Sequence, residues 1–543
     1  MANHLLRGTG VVSSLTFVSR ILGFVRDMII ARLFGAGLLA DAFFVAFRIP
    51  NLLRSILAEG AFTSAFVPVF VSEHARGPES AKQAMRQTSG LLLIAGLGLT
   101  CLGVIFSREI VLLFAPGFQA DPYKLSLCIK LTRIMFSYII FVSLVALING
   151  ALNAFKIFGA AAWAQVWMNL VWIAGAVAAL YLDDESAVYC LAWSVILGGF
   201  VQVAVQFPAL RRAGILVLPS TKCISPATLQ IVKLMLPALL GATIYQLGVF
   251  LNTLLASFLE EGSVSWLYYA DRLVQLPIGI FSIALASVLL PALAEANESR
   301  DEISFSRNLT NALRYTSFII IPCAAFLFCC AEPLAKLIFE RGEFSPYSSS
   351  MTALAVQGYC LGLWAISCHA MLVRVFIARK DTVTPVLTGI LSLLVNLVVS
   401  LACMGPVRQR GAAAEAVEAI RAILPGISTL PELGHIALAL GSSAGTLASM
   451  LCAAILVRRS HKIGWSPFLS CTLRSILASL VLVWVCNWCL ESFRSAPTAL
   501  ALSTLLSLTG YLLINYILRA PEIKETFGGF RRLIKSVVRR QIK

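Results

Sequence analysis

Charge is scarce in this sequence: 13% of its 543 residues are charged and 59% are hydrophobic, and the mean hydropathy is +0.85. Soluble proteins carry about 25% charged residues, so this composition excludes a chain of soluble domains. Strand-like alternation of polar and apolar residues is also lacking, which excludes an outer-membrane barrel. Apolar runs of about 20 residues, the length that crosses a bilayer as a helix, recur along nearly the whole chain. The sequence therefore predicts an all-α integral membrane protein.

The signatures of several enzyme classes are also missing. The sequence contains no H-E-x-x-H zinc motif, no P-loop and no nucleophile elbow, and its five histidines lack the spacing of metal ligands. The acidic run Asp183-Asp184-Glu185 is a candidate metal site for an enzyme that acts on polyprenyl phosphates. It lies in a short predicted loop without supporting ligands, so a solvated turn is the simpler interpretation. We predict no catalytic residue, no metal site and no cofactor.

The 14 cysteines do not indicate a redox or metal site. Most lie inside apolar runs, and the C-x-x-C pair Cys486 and Cys489 lies in LASLVLVWVCNWCLES, which is typical of a lipid-embedded helix. We interpret the cysteines as small buried hydrophobic residues. A cleavable signal is not expected, because Arg20, Arg26 and Asp27 interrupt the first apolar stretch.

About fourteen transmembrane helices are predicted, and most are joined by short turns. Their ranges are 11–35, 38–70, 88–107, 127–153, 158–181, 187–208, 228–258, 264–293, 312–339, 350–377, 384–404, 434–457, 467–490 and 497–519. The one long insert, near 407–433, is expected to form a short helix outside the bilayer. The tail, 520–543, places apolar residues at helical spacing among basic ones, which favours a helix on the anionic cytoplasmic leaflet.

The net charge of +16 is distributed unequally over the two sides of this scheme. The span ends on one side of the membrane carry 25 Lys and Arg residues. The span ends on the other side carry 10, and Lys124 is one of these. Because cytoplasmic loops retain basic residues, both termini are predicted to be cytoplasmic. Nucleic-acid binding would need a soluble basic surface, and none is present outside the short tail.

A weak internal repeat relates two charged segments. AFFVAFRIPNL at 42–52 aligns with WLYYADRLVQL at 266–276, which brings Arg48 onto Arg272 at an offset of 224 residues. Six predicted spans separate the copies, so the two halves should be parallel and related by a pseudo-two-fold axis along the membrane normal. Transporters built in this way bind substrate between the halves, near the midplane.

The first two spans carry charges that a lipid-facing helix would not tolerate. An arginine at mid-bilayer costs about 2.5–3.5 kcal/mol on insertion scales, so several are expected only around water or partners. Pro50 is expected to kink the second span, and Gly23 to break the first. We predict a polar cavity lined by arginines, whose planar fork matches phosphate or carboxylate oxygens. Ordinary interfacial charge remains the alternative for Arg32 and for Arg48, whose stem can snorkel.

These residues also resemble a known family. The run SRILGFVRDMIIARLFGAG, followed by ADAFFVAFRIPNLLRSILAEGAF and later by SVSWLYYADRL, is similar to the MurJ (MviN) lipid II flippases of the multidrug/oligosaccharidyl-lipid/polysaccharide exporter superfamily. The resemblance extends to about residue 400 and resumes after the insert. It implies two six-helix lobes with the cavity between them, an N-lobe at 1–212 and a C-lobe at 213–463 that includes the insert. Helices 13 and 14, at 464–519, would add a groove for the lipid tail.

The resemblance implies the function and its residues. The substrate would be the undecaprenyl-pyrophosphate-linked peptidoglycan precursor, moved from the cytoplasmic to the periplasmic leaflet of the bacterial inner membrane by alternating access. Membrane lipids and other cell-wall synthesis proteins are the further candidate partners. The expected substrate-binding residues are Arg20, Arg26, Asp41, Arg54 and Arg272, and the expected supporting cavity residues are Asp27, Arg48, Glu59, Asp271 and Gln275.

Two departures from the family pattern concern energy coupling. Gln275 replaces a glutamate of some members, and an amide cannot carry a proton there. Asn252 and Asn396 stand on helices where some members bind sodium through acids, which argues against a strong sodium site.

An exporter of another lipid-linked saccharide or of drugs is the main alternative. A scaffold without transport would not need buried arginines.

Overall fold

The computed structural model describes residues 2–56, 62–407, 412–423, 431–460, 464–493, 496–523 and 525. Every regular element in these ranges is helical, which confirms the all-α class. The helices are α1 Ala2–Phe34, α2 Leu38–Ile56, α3 Phe62–Arg76, α4 Pro78–Ile105, α5 Ser107–Phe114, α6 Pro122–Phe136, α7 Tyr138–Ala154, α8 Gly159–Ala179, α9 Asp184–Ala204, α10 Phe207–Arg212, α11 Pro226–Ala256, α12 Ser263–Pro277, α13 Ile283–Glu298, α14 Glu302–Cys329, α15 Ala331–Phe339, α16 Pro346–Ala378, α17 Val383–Cys403, α18 Ala412–Ile423, α19 His435–Ser460, α20 Trp465–Ser492 and α21 Ala496–Ile517.

Eleven helices among the described residues are long and apolar enough to cross a membrane. The predicted count of fourteen stays a prediction. The remaining predicted spans fall on α1, on α2 with α3, and on α11. The charges that single out α1 and α2 in the sequence also lower their hydropathy, so composition alone does not mark them as membrane helices.

Several helices extend beyond the predicted spans. α4 begins at Pro78 rather than 88, and α14 begins at Glu302 and ends at Cys329, before the separate α15. A helix of 28 residues is about 42 Å long, whereas the hydrocarbon core is about 30 Å thick. Hydropathy therefore marks only the part of these helices that lies in hydrocarbon.

The expected break at Gly23 is wrong, because α1 is continuous from Ala2 to Phe34. A glycine costs a helix only about 1 kcal/mol, which tertiary packing readily offsets. A Cβ atom at this position would lie 3.6 Å from Oδ1 of Asn169 on α8. Gly23 therefore faces the side chain of Asn169 on α8 at ordinary van der Waals distance.

The described helices form two compact units. The first comprises Met1–Tyr268, Phe339–Ser348 and Pro406–Ser428, and the second comprises Tyr269–Ile338, Ser349–Gly405 and Thr429–Lys543. In the first unit, buried aromatic and aliphatic side chains of α3, α4 and α7 pack together around Phe66. In the second, α13, α14, α16 and α19 enclose an apolar core that includes Met371.

The acidic run Asp183-Asp184-Glu185 is exposed, as predicted, but Asp184 and Glu185 belong to the first turn of α9 rather than to a loop. Asp183 is the N-cap of α9 and accepts a hydrogen bond from the backbone N–H of Ser186 at 3.1 Å. That N–H lowers the pKa of Asp183 below its ordinary value. Carboxylates at a helix N-terminus also interact favourably with the helix dipole, which explains the run without a metal.

The long insert contains the short helix that the sequence predicts. α18 buries Ala414, Val417 and Arg421 within the first unit. Glu418 accepts hydrogen bonds from Arg421 at 2.7 Å and from the backbone N–H of Val407. Residues 408–411 and 424–430 of the insert and 526–543 of the tail lie outside the described residues.

Candidate functional site

Arg26 and Asp27 of α1 form the centre of a polar cluster in the first unit. The guanidinium Nε and Nη2 of Arg26 donate to the same oxygen, Oδ1, of Asp27 at 2.9 and 2.8 Å. The two side chains are only 12% and 2% exposed. The hydroxyl of Tyr268 donates to the same Asp27 oxygen at 3.4 Å. Two neighbours in sequence are thus held as a buried ion pair rather than as interfacial charges.

Helix α8 supplies the other contacts of Arg26, and the sequence did not single them out. Nη1 of Arg26 donates to Oδ1 of Asn169 at 3.2 Å, and the guanidinium carbon lies 4.4 Å from the centre of the Trp172 ring. Asn169 is buried and donates to the carbonyl and hydroxyl of Ser19 at 2.9 and 3.1 Å. An asparagine inside an apolar span is a sequence signal from which this position could have been identified.

Arg20 lies on the same helix but in a different environment. Its side chain is exposed, and Arg32 near the end of α1 is exposed as well. Six residues separate Arg20 from Arg26, which rotates the two side chains by about 120° around the helix axis. The structure therefore does not bring these two predicted substrate contacts onto one face of α1.

Asp41 lies in a second, separate polar cluster of the first unit. Nζ of Lys124 lies 2.8 Å from Oδ2 of Asp41, and the two side chains are 9% and 2% exposed. Asp41 also accepts from the backbone N–H groups of Gly262 and Ser265 at 2.9 and 3.0 Å and from the Ser265 hydroxyl at 2.6 Å. The carboxylate thus joins α2 and α6 to the N-terminus of α12, where the helix dipole favours an anion. This geometry suits positioning better than substrate contact.

The remaining arginines of α2 are half-buried. Arg48 donates to the Thr253 hydroxyl of α11, and Arg54 donates to Oδ1 of Asn51 at 2.9 Å. Pro50 lies between them inside α2. Glu59, which we predict to support the cavity, lies outside the described residues.

Aromatic contacts fix α2 against its neighbours in the first unit. The ring of Phe44 stacks on Tyr268 with centroids 3.8 Å apart, and Phe47 meets Trp172 edge to face at 4.8 Å. Tyr268 and Trp172 are the same side chains that contact the Arg26–Asp27 pair. Packing of α2 therefore also holds the aromatic neighbours of that pair.

The three predicted residues of α12 lie in the second unit. Asp271, Arg272 and Gln275 are half-buried, and Nε2 of Gln275 lies 3.4 and 3.5 Å from the two carboxylate oxygens of Asp271. Gln275 follows Asp271 by one helical turn, so the contact between them follows from their spacing.

Comparison with known proteins identifies the family. The family described as "Lipid II flippase MurJ" matches residues 30–509 of this chain. The lipid II flippase MurJ of Burkholderia cenocepacia is 34% identical over 500 residues, covering 90% of this chain and 91% of its own length. This chain belongs to the MurJ family. A probable lipid II flippase MurJ of Vibrio cholerae is 37% identical over 410 residues, with coverage of 74% and 78%. The resemblance in the sequence is thereby confirmed.

Solved structures agree with the MurJ assignment. A structure described as lipid II flippase MurJ in an inward closed conformation is 25% identical, with a TM-score of 0.76 over 94% of this chain and 99% of its own. An inward-facing multidrug resistance MATE transporter of the MOP superfamily has a TM-score of 0.64 at 16% identity, over 83% of this chain and 97% of its own. At that identity the second match shows the fold alone.

Proposed function

We propose that this chain is a lipid II flippase, which moves the polyprenyl-pyrophosphate-linked peptidoglycan precursor from the cytoplasmic to the periplasmic leaflet by alternating access. The MurJ family match covers most of the chain, and relatives at 32–37% identity carry this function in their names. The observation that carries the proposal is the buried guanidinium of Arg26, held by Asp27, Asn169 and Trp172 inside a bundle of apolar helices.

A buried arginine suits a lipid-linked pyrophosphate for electrostatic reasons. An unpaired pyrophosphate in the bilayer interior would pay a large desolvation penalty, which cationic groups offset. Asp27 neutralises Arg26 when no substrate is bound, and an incoming phosphate oxygen would share or replace that partner. Arg20 is exposed and forms no ion pair with any residue that the structure describes, so it can meet an anion directly. Arg54 and Arg272 complete the proposed set of substrate-binding arginines.

The acidic residues have positioning roles in this proposal. Asp41 has four donors around its carboxylate, so it holds α2, α6 and the start of α12 together. Asp27 orients the guanidinium of Arg26. Arg48, Glu59, Asp271 and Gln275 remain proposed supporting residues of the transport cavity.

The protein spans the membrane several times and acts as a transporter rather than a catalyst. We place it in the bacterial inner membrane, with both termini in the cytoplasm, because of the unequal distribution of Lys and Arg. We keep 1–212 and 213–463 as the two lobes of the transporter, 464–519 as the groove for the lipid tail and 520–543 as the cytoplasmic tail. Lipid II is the proposed substrate, and other cell-wall synthesis proteins are candidate partners.

The test is rescue of a bacterium depleted of its own flippase. Expression of this chain should restore growth, and labelled lipid II should become accessible at the outer leaflet. Arg26→Ala, expressed at the same level, should restore neither. An exporter of drugs or of another lipid-linked saccharide would leave lipid II on the inner leaflet, and that result would contradict the proposal.

A further inference from the structure

Four cysteines lie near one another in the second unit, where α14 and α20 end. Cys329 is the last residue of α14 and Cys330 follows it, while Cys486 and Cys489 lie in the last two turns of α20. Cys330 and Cys486 are fully buried in one apolar core, and their side chains are in hydrogen-bonding contact. A pair of thiols in contact can do what small hydrophobic residues cannot, which is to form a covalent bond.

Hydrogen bonds between α14 and α20 show that the two helices pack side by side and run in the same direction. The hydroxyl of Thr310 donates to the carbonyl of Gly464 at 3.5 Å, 154 positions later. The hydroxyl of Thr472 donates to Oγ of Ser317 at 3.1 Å, 155 positions earlier. A nearly constant separation along both helices means that they are parallel. The cysteine pair, whose members are 156 positions apart, continues the same register.

Both helices end on the periplasmic side of the proposed topology. Arg459, at the end of α19, is cytoplasmic in that topology, and α20 begins shortly after it at Trp465. A helix of 28 residues is about 42 Å long, which exceeds the hydrocarbon thickness of about 30 Å, so α20 ends on the opposite side. Because α14 is parallel to α20 and equally long, the cysteine pair lies near the periplasmic surface. That compartment is oxidising and favours disulfides.

We propose that Cys330 and Cys486 form a disulfide that joins α14 to α20 in the mature protein. Cys329 and Cys489 act on this pair only at longer range. The bond ties the C-lobe, to which α14 belongs, to the first helix of the proposed groove for the lipid tail. The proposal rests on the proposed orientation of the chain and goes beyond the transport function.

The bond forms by thiol–disulfide exchange with an oxidised disulfide protein of the periplasm. The thiolate of one cysteine attacks the disulfide of that protein and forms a mixed disulfide with it. The thiolate of the second cysteine then displaces the oxidant. Cys330 and Cys486 together lose two protons and two electrons, and the oxidant takes them up as its two thiols. Because both cysteines are buried in the folded protein, the exchange takes place before α20 packs on α14.

Differential alkylation of the full-length protein tests for the bond. Intact cells are treated with N-ethylmaleimide, and the protein is purified and denatured with the same reagent and without reductant. The remaining cysteines are then reduced and labelled with iodoacetamide. All but two of the 14 cysteines should carry N-ethylmaleimide. Mass spectrometry should find the second label at Cys330 and Cys486, and the unreduced digest should contain their two peptides joined.

Two variants at equally buried positions separate the bond from packing. Cys486→Ala removes one partner and should leave Cys330 carrying N-ethylmaleimide. Cys368→Ala lies in the separate apolar core that includes Met371 and should keep the bond. Reductant should lower the apparent Tm of the parent and of Cys368→Ala in detergent by about 5 °C, because a cross-link over a long loop restricts the unfolded chain. It should leave the Tm of Cys486→Ala unchanged.

Three results would overturn the proposal. They are N-ethylmaleimide on all 14 cysteines of the parent chain, a bond to Cys329 or Cys489 instead, and equal sensitivity of the parent and Cys486→Ala to reductant. Thiol labelling of an Arg459→Cys variant shows which premise failed. Free thiols with position 459 inside the cell contradict the disulfide alone. Position 459 outside the cell contradicts the proposed orientation and the disulfide together, whereas failure to move lipid II counts against the proposed function.

Discussion

Lys124 and Asp41, 83 positions apart in the sequence, form a buried ion pair in which Nζ lies 2.8 Å from Oδ2. The ammonium group also lies 4.4 Å from the centre of the Phe118 ring. The count of Lys and Arg at the ends of the predicted spans includes Lys124 as a residue of a loop end, yet its side chain is only 9% exposed. The pair therefore links α6 to α2 and, through Asp41, to the start of α12.

The first prediction concerns this pair. Lys124→Met should destabilise the purified protein by about 3–5 kcal/mol, because a buried carboxylate loses its cation. The double variant Lys124→Met/Asp41→Asn should recover part of the loss, since the amide carries no charge and still accepts from Ser265. Thermal unfolding in detergent measures both effects. If the double variant is less stable than Lys124→Met alone, the pair is not the source of the loss.

The second prediction concerns Asn169, which holds Arg26 from α8. Asn169→Leu should lower the rate of lipid II translocation about tenfold or more, because Arg26 loses a charge-assisted hydrogen bond of about 1.5–3 kcal/mol. Trp163→Leu on the same helix is the control, since Trp163 is 44% exposed. Both variants should reach normal abundance. Equal activity of the two variants would show that Asn169 does not position Arg26.

The sequence predicts the helical class and most spans well, because apolar runs of membrane length have few other interpretations. It also identifies the charges of α1 and α2, which are costly in hydrocarbon. It misses the partners of those charges. Asn169 lies 143 positions from Arg26, and Lys124 joins Asp41 only after α6 packs on α2. Such contacts arise from tertiary packing, which neither periodicity nor charge counts contain.

The third prediction concerns topology. Asp184→Cys, at the start of α9, should react with an impermeant thiol reagent in intact cells. Arg459→Cys, at the end of α19, should react only after the cells are opened. Both positions are exposed in the structure, so burial does not explain a difference. The background needs its reactive cysteines replaced, with exposed Cys101 first. Labelling of position 459 in intact cells would contradict cytoplasmic termini.

The last prediction concerns Arg20 and Arg26 of α1. It separates a role that requires only positive charge from a role that requires a planar guanidinium. Arg20→Ala and Arg26→Ala should each abolish rescue at normal protein abundance, because a pyrophosphate in the bilayer needs cationic partners. Lys should restore part of the activity at exposed Arg20, where only charge is required. It should restore none at Arg26, because a lysine cannot contact Asp27, Asn169 and Trp172 with the geometry of a planar guanidinium.

Binding of lipid II to the purified variants distinguishes loss of binding from loss of folding. Affinity should fall in the order parent, Arg20→Lys, Arg26→Lys, Arg26→Ala, while thermal unfolding of the Arg20 variants stays close to that of the parent. Arg459→Gln, which removes a charge far along the sequence from α1, should match the parent in both assays. A double Arg20→Ala/Arg26→Ala variant that still binds lipid II and supports growth would rule out an anion-binding role for α1.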